Sequence, residues 1–268
     1  MADTLVDRKD GLVTLTFNRP DKKNAINAAI WADLDQVLRE VAANPEDRAF
    51  VLRGAGGNFS SGADLGGGLS SKSESQKGLT GGPPQAVLHE MRIVGELINR
   101  LHRLPKPTLA VVDGVAVGVA LGLVLACDLA IASDRARFCE VFVKRGLALD
   151  GGTSWSLPRL IGLRRAKQMA FFGDMLSAQE ALSFGLVNEV VAVDQLDTLA
   201  EAWGRRLAEG PTTALGLVKR MLDASSSLTF EQAAEDEARA QHVAFTTGDM
   251  REGIQAFLER RDARFTGK

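Results

Sequence analysis

Tyrosine is absent and histidine occurs only as His89, His102 and His242, so acid and base chemistry in this chain falls mainly on carboxylates. The two cysteines, Cys127 and Cys139, are too few for a disulfide framework, and Met1-Ala2-Asp3-Thr4 lacks the basic and apolar regions of a signal peptide. A reducing, cytoplasmic setting is expected. No long hydrophobic run is present either. The longest, Val115 to Cys127, falls short of the ~18 to 20 residues that cross a bilayer and reads as a buried core element. Charge of one sign is also missing: 32 Lys and Arg against 34 Asp and Glu leave a net charge of -2. Neither nucleic acid nor a membrane surface is an expected partner, and an anionic ligand has to be caught locally. What remains is a 268-residue chain, 45% hydrophobic and 25% charged, the mix of an ordinary globular protein.

The alternation Gly11-Leu12-Val13-Thr14-Leu15-Thr16-Phe17 predicts a half-buried strand, closed by Asn18-Arg19-Pro20-Asp21. Ile30, Leu34, Val37, Leu38 and Val41 recur at helical spacing up to Asn44-Pro45. Ala49-Phe50-Val51-Leu52 is a continuous apolar strand leading to Gly54-Ala55-Gly56-Gly57. From Gly66 to Pro84, Gly, Ser, Lys and Pro dominate, which predicts a mobile surface loop. A helix is expected over 85–103, a strand over 108–112, another over 129–132 and a short one over 136–140. Beyond Thr153 the chain reads as largely helical, punctuated at Pro158, Gly162, Gly173, Gly185 and Gly210-Pro211. Strands alternating with helices and then helices alone predict an α/β core with a helical C-terminal extension, the core at 1–200 and the extension at 201–268.

Two segments offer reachable backbone N–H groups. In Asn58 to Leu65 a small-residue turn follows a strand, and in Asp113 to Gly122 a strand and a glycine-bearing turn enter an apolar helix whose first N–H groups are free. Two such donors aimed at one point make an oxyanion hole. Close packing of glycines in a crowded core would produce the same sequences.

Several pieces in order carry a resemblance: Asn18-Arg19-Pro20 with Asn24-Ala25, Ser61-Gly62-Ala63-Asp64-Leu65, Lys106-Pro107 before Val112-Asp113-Gly114-Val115-Ala116, Cys127-Asp128, Ala136-Arg137-Phe138, and Gly151-Gly152-Thr153 with Leu157-Pro158-Arg159. From Leu12 to about Phe265 the chain resembles the crotonase superfamily of enoyl-CoA hydratases and isomerases. The resemblance implies a crotonase-like spiral of β-β-α turns, an acyl-CoA thioester substrate with coenzyme A as part of the substrate and no further cofactor, and a homotrimer or a hexamer of paired trimers, with the C-terminal helices serving as trimerisation and lid region. It assigns the oxyanion donors to the backbone N–H groups of Ala63 and Val119. Val119 stands where the family usually has glycine.

The catalytic carboxylates depart from the pattern. A typical hydratase of the family carries two glutamates at the positions of Gly122 and Phe142, so the family resemblance alone does not select the reaction. Asp150, set between an apolar run and Gly151-Gly152, is a substitute whose burial would raise its basicity. It is equally well placed as a helix N-cap. Some isomerases of the family carry an acid/base aspartate here, and its aryl-CoA dehalogenases a nucleophilic one. The run Thr153 to Arg159 resembles the dehalogenase form, yet Phe142 replaces their tryptophan and their usual histidine has no match. If residues 138 to 142 are extended, Glu140 points where Phe142 points and becomes a displaced second carboxylate. An exposed or salt-bridged glutamate is the alternative.

For the coenzyme moiety the resemblance points to Lys23, Asn24, Ala25, Ser61, Ala63, Asp64 and Leu65, and to Phe257 and Arg260 reaching from a neighbouring subunit. Aspartate at a helix start is usually a cap, which is the alternative for Asp64. His89 and His102 lack spaced partners, so no metal site is expected. The leading expectation is enoyl-CoA isomerisation with Asp150 as acid and base. Enoyl-CoA hydration is second, followed by thioester hydrolysis, dehalogenation and a catalytically silent acyl-CoA binder.

Overall fold

The computed structural model describes residues 2–64 and 84–268, and the side chains of 84–86 are not among the described features. Leu65 and the loop expected between Gly66 and Pro84 lie outside the described residues, except that Pro84 begins a helix.

A six-stranded sheet runs in the order β1-β2-β3-β4-β6-β9, from β1 (Thr4–Lys9) through β2 (Leu12–Phe17), β3 (Ala49–Gly54), β4 (Thr108–Val112) and β6 (Leu129–Ser133) to β9 (Glu189–Val191). Only the β1–β2 pair is antiparallel, joined through Asp10 and Gly11, both at positive φ as a two-residue hairpin turn requires. A smaller sheet joins β5 (Val115–Val117), β7 (Arg137–Cys139) and β8 (Leu176–Ser177), and two single bridges, Ile26 to Ala63 and Ser60 to Ala116, extend this second layer.

The spiral follows from this connectivity. Strand β2 leads to the Ile26 bridge and then to α1 (Ala28–Ala43), and β3 leads to the Ser60 and Ala63 bridges ahead of α2 (Pro84–His102). In the same way β4 leads to β5 and α3 (Val119–Ala126), and β6 to β7, a 3₁₀ turn over Val141–Arg145 and α4 (Thr153–Ile161). Each turn therefore contributes to the large sheet, then to the small layer, then a helix.

Burial explains the choices. Val13, Leu15 and Phe17 are buried on β2 with partly covered residues between them, the period-two pattern of a strand with one dry face. On α1 the buried positions are Ile30, Leu34, Val37, Leu38 and Val41, with the Asn27 side chain accepting from the Ile30 N–H as N-cap at 3.0 Å. Every residue of α3 is buried, which is why its sequence is apolar all round. Leu109 and Val111 on β4 face the opposite way from Ala110 and Val112, packing under Leu196 and Ala200 of α7 (Leu196–Ala208). The boundary expected at residue 200 thus falls inside a helix that covers the sheet. Pro158 does not punctuate α4 but stays within it, removing only the bond to the carbonyl of the exposed Ser154, and the helix stops at Gly162.

After α4 come α5 (Leu163–Phe172), α6 (Ala178–Phe184), α7, α8 (Thr212–Ser225), α9 (Phe230–Ala244) and α10 (Gly248–Glu259). Arg48 fastens the C-terminal part, donating to the Gly210 carbonyl at 2.7 Å, the Thr212 hydroxyl at 3.1 Å and the Phe265 carbonyl at 3.0 Å. Among the described residues no helix is long and apolar enough to cross a membrane.

Candidate functional site

The site grows from a close approach of two backbones. Ser60 N–H donates to the Val115 carbonyl at 2.8 Å and its own carbonyl accepts from Val117 at 3.2 Å, which zips residues 58–62 onto β5. Gly62, at φ 95, packs so tightly that a Cβ there would lie 2.6 Å from the Val117 oxygen. No other residue fits both the conformation and the gap. The Gly62 carbonyl accepts from Ile26 N–H at 2.8 Å. Because a trans peptide sets N–H opposite C=O, the Ala63 N–H points away from Ile26. On the facing strand, Gly118 turns the chain at φ 58 into α3. The Val119 N–H is the first of the helix and has no intrahelical acceptor, at the positive end of the helix dipole. Ala63 and Val119 thus flank one backbone contact, each with a main-chain donor. Phe142, 7% exposed, lays its ring beside Gly118, with its Cζ 3.6 Å from where a Cβ would stand.

Glu140 corrects two expectations. The chain is not extended over 138 to 142, because β7 ends at Cys139 and a 3₁₀ turn starts at Val141. The side chain is neither exposed nor ion-paired: it is 0% exposed and both carboxylate oxygens are buried without a hydrogen-bond partner. Burial, and after it the charge of Asp150, pushes its pKa up to about 8. Asp150 is half-buried with Oδ1 unpartnered, and burial raises its pKa to about 6. The N-cap alternative fails. Gly152 occupies that position without any side-chain bond, and Thr153 bonds the main-chain carbonyl of Asp150 instead, at 3.2 Å from its N–H and 2.9 Å from its hydroxyl. The aspartate side chain is left free of the helix.

The structure also gives the reason that Gly122 bears no glutamate. A Cβ at Gly122 would stand 2.6 Å from the Gly151 oxygen, and one at Gly151 would stand 3.4 Å from Val119 Cγ2. The turn carrying Asp150 is seated directly on α3, in the space a side chain from the helix would need.

The nucleotide-side expectations divide. Lys23 is exposed, at φ 47, and its carbonyl accepts from Ser61 N–H at 2.9 Å. Ser61 is half-buried, with its hydroxyl on the Lys22 carbonyl at 3.3 Å. The Asn24 side chain is 0% exposed, accepts from Arg19 N–H and donates to the carbonyls of Ala55 and Asn58, so it latches two loops and is not available to a ligand. Ala25 is likewise buried, its carbonyl taken by Arg19 at 2.6 Å. The same guanidinium holds Asp64 at 2.8 Å, so that aspartate clamps rather than caps. Phe257 on α10 is 82% exposed, and Arg260, the exposed C-cap of that helix, lies at φ 55. Arg19 went unnoticed as the organiser of this loop, although the Asn-Arg-Pro turn marked its place.

A cavity of about 890 Å³ opens behind Gly122 and Gly151, between α2, α3, α4 and α8. Among the described residues no group of three or more His, Cys, Asp or Glu is arranged to hold a metal.

A family model for enoyl-CoA hydratase/isomerase matches residues 7–268. The chain belongs to the enoyl-CoA hydratase/isomerase family. It is 36% identical over 258 residues to a 1,2-epoxyphenylacetyl-CoA isomerase of Escherichia coli (strain K12), covering 96% of each chain. It is also 36% identical over 238 residues to a 4-chlorobenzoyl coenzyme A dehalogenase-2 of Arthrobacter sp, covering 87% of this chain and 82% of that one. The solved structure of an enoyl-CoA hydratase from Bacillus anthracis superposes with a TM-score of 0.90 at 29% identity, covering 99% of this chain and 100% of that one. The α/β spiral with C-terminal helices is the crotonase fold, and the protein is an acyl-CoA-processing enzyme of this family.

Proposed function

We propose that the enzyme shifts a double bond within an enoyl-CoA thioester. The carbonyl oxygen is held by the N–H groups of Ala63 and Val119, each worth ~3 kcal/mol to the developing enolate. At neutral pH Asp150, with its pKa near 6, is largely ionised, and Glu140, near 8, is largely protonated. Two carboxylates pushed apart in this way divide into a base and an acid. Asp150 takes the proton from the α-carbon, Glu140 returns one at the γ-carbon, and the proton on Asp150 then passes to Glu140 to restore the pair. The observation that carries this reading is a pair of carboxylates, Glu140 buried with both oxygens unbonded and Asp150 half-buried with Oδ1 unbonded, whose side chains cap no helix and pair with no described cation.

Hydration is the second reading, supported by the nearness of two carboxylates, the Asp150 charge acting on Glu140, since water activation and carbon protonation call for a base and an acid. Lys23 and Ser61 line the nucleotide side, and coenzyme A enters only as part of the substrate. Exposed Phe171, Phe172, Leu163, Phe257 and Leu258 support assembly into a homotrimer or a pair of trimers, in which Phe257 and Arg260 reach a neighbour's coenzyme. A cytoplasmic location is in keeping with two free cysteines.

The test is isotope exchange. A β,γ-enoyl-CoA incubated in deuterated water acquires label as the double bond moves, and Asp150→Asn abolishes both while retaining affinity for the thioester. Exchange that persists in Asp150→Asn places the base elsewhere, and an α,β-enoyl-CoA converted by the wild type to a β-hydroxyacyl-CoA carrying one deuterium at the α-carbon, with no migration of the double bond, selects the second reading.

A further inference from the structure

The cavity behind Gly122 and Gly151 is larger than a short acyl group fills: about 890 Å³ falls at the upper end of the range for small-molecule sites. It starts beside the proposed chemistry. Gly151 follows Asp150 in the chain, and Gly122 lies one turn beyond Val119 on α3. From there it follows α3 past Leu125 and Ala126. At 1.5 Å per residue, Val119 to Ala126 spans about 10 Å. Gly95 on α2 borders open space, since a Cβ there would meet nothing within 4 Å.

Polar groups converge at the far end. Gly216, Lys219 and Asp223 share one face of α8 by their three- and four-residue spacing, and all three line the cavity. The Lys219 side chain is 8% exposed; its Nζ lies 3.0 Å from Asp128 Oδ1 but makes no aligned hydrogen bond. The other oxygen of Asp128 is occupied by the N–H and hydroxyl of Thr108 at 2.7 and 2.9 Å. An ammonium has three donors, and a buried donor without an acceptor is costly, so Lys219 has capacity to spare. Its charge is already matched by Asp128, and Asp223, 3.8 Å from His102 Nε2, adds a further carboxylate. Two further cations line the cavity, Arg220, paired with Asp236 at 2.9 Å, and the exposed Arg103, so it is at Lys219, already matched by Asp128, that a neutral oxygen is bonded in preference to a second anion.

We propose that this cavity receives the distal part of the acyl group and that Lys219 donates a hydrogen bond to an uncharged oxygen at its far end. The substrate class is then a thioester with an acyl group about 10 Å long bearing a hydroxyl or ketone remote from the sulfur. This deepens the acyl-CoA assignment of the same site and rests on the thioester carbonyl sitting at Val119.

Calorimetric titration with saturated esters tests it without requiring turnover. The wild-type protein is expected to bind ω-hydroxydecanoyl-CoA about tenfold more tightly than decanoyl-CoA, the effect of one hydrogen bond from a charged donor. Lys219→Met brings that ratio close to one. Gly95→Leu, which places a side chain in open space on a helix that gains propensity from it, weakens the decanoyl esters about tenfold more than butyryl-CoA. A wild-type ratio of one, a preference that survives Lys219→Met, or decanoyl binding indifferent to Gly95→Leu overturns the proposal. If the hydroxyl preference is present but no deuterium exchange occurs with any enoyl ester, the cavity assignment stands and the isomerase reading falls.

Discussion

Replacing Glu140 by glutamine should make the protein more stable and less active at once. The native pKa of this carboxyl lies near 8, against 4.5 for the free side chain, because burial leaves both oxygens unbonded. Between those two values the folded chain keeps a proton that the unfolded chain has released. Stability is therefore full below pH 4.5 and falls as pH rises, by about 1.4 kcal/mol per pH unit. Carried up to pH 8, the loss is about 5 kcal/mol, of which roughly 3 kcal/mol has accrued at pH 7. Glutamine has no proton to lose and nearly the same shape, and it leaves buried polar atoms unbonded just as the neutral acid does. Wild type and Glu140→Gln should accordingly match at pH 4.5 and diverge above it, the variant being more stable by roughly 3 kcal/mol at pH 7. Urea unfolding followed by tryptophan fluorescence at a series of pH values measures the divergence. Parallel pH profiles for the two proteins, or a variant less stable at pH 8, would refute an unpaired buried carboxyl. Turnover of an enoyl ester by the same variant should fall at least about a hundredfold, the usual contribution of a positioned proton donor, and unchanged turnover would remove Glu140 from the chemistry.

Two more expectations follow from the geometry. The pH dependence of kcat/KM for an enoyl ester should rise through about 6 as Asp150 ionises and fall through about 8 as Glu140 does, the two limbs belonging to the pair as a unit; a profile flat from pH 5 to 9 contradicts the assignment. Gly122→Ala should destabilise by ~1 to 3 kcal/mol, beyond any gain in helix propensity, because its Cβ would stand 2.6 Å from a backbone oxygen. A thermal midpoint equal to that of wild type would show that the Asp150 turn does not rest on α3.

The fold was legible where one physical cause dominates a stretch of residues. Alternation in β2, the continuous run in β3 and the helical spacing of α1 each reflect which face is dry, and all appear where that pattern points. Strand β1 was not legible, since Thr4 is its one buried residue and its partner lies on one side only. Strands β8 and β9, two and three residues long, exist because neighbours pair with them and carry no pattern of their own. At the site, the small-residue turns around Gly62 and Gly118 lie where two backbones approach closely. Asp150 was ambiguous because the residue before a helix can cap it or turn away, and only the bonds made by Thr153 decide. Glu140 was placed near the site for an incorrect reason, extended backbone. A buried charge without a partner has no local signature, because its surroundings come from distant parts of the chain. Lys219 could have been found from its spacing with Gly216 and Asp223 along α8.

The meeting of Gly122 with Gly151 separates what this architecture can change from what it must keep. If the thioester is held as proposed, its recognition resides in peptide groups, which mutation of side chains cannot remove. The proposed proton traffic would reside in Glu140, just past a strand end, and Asp150, in the turn ahead of α4, where one codon can add or delete an acid. New reactions are thus open to such an enzyme by single steps, while its appetite for thioesters is inherited intact.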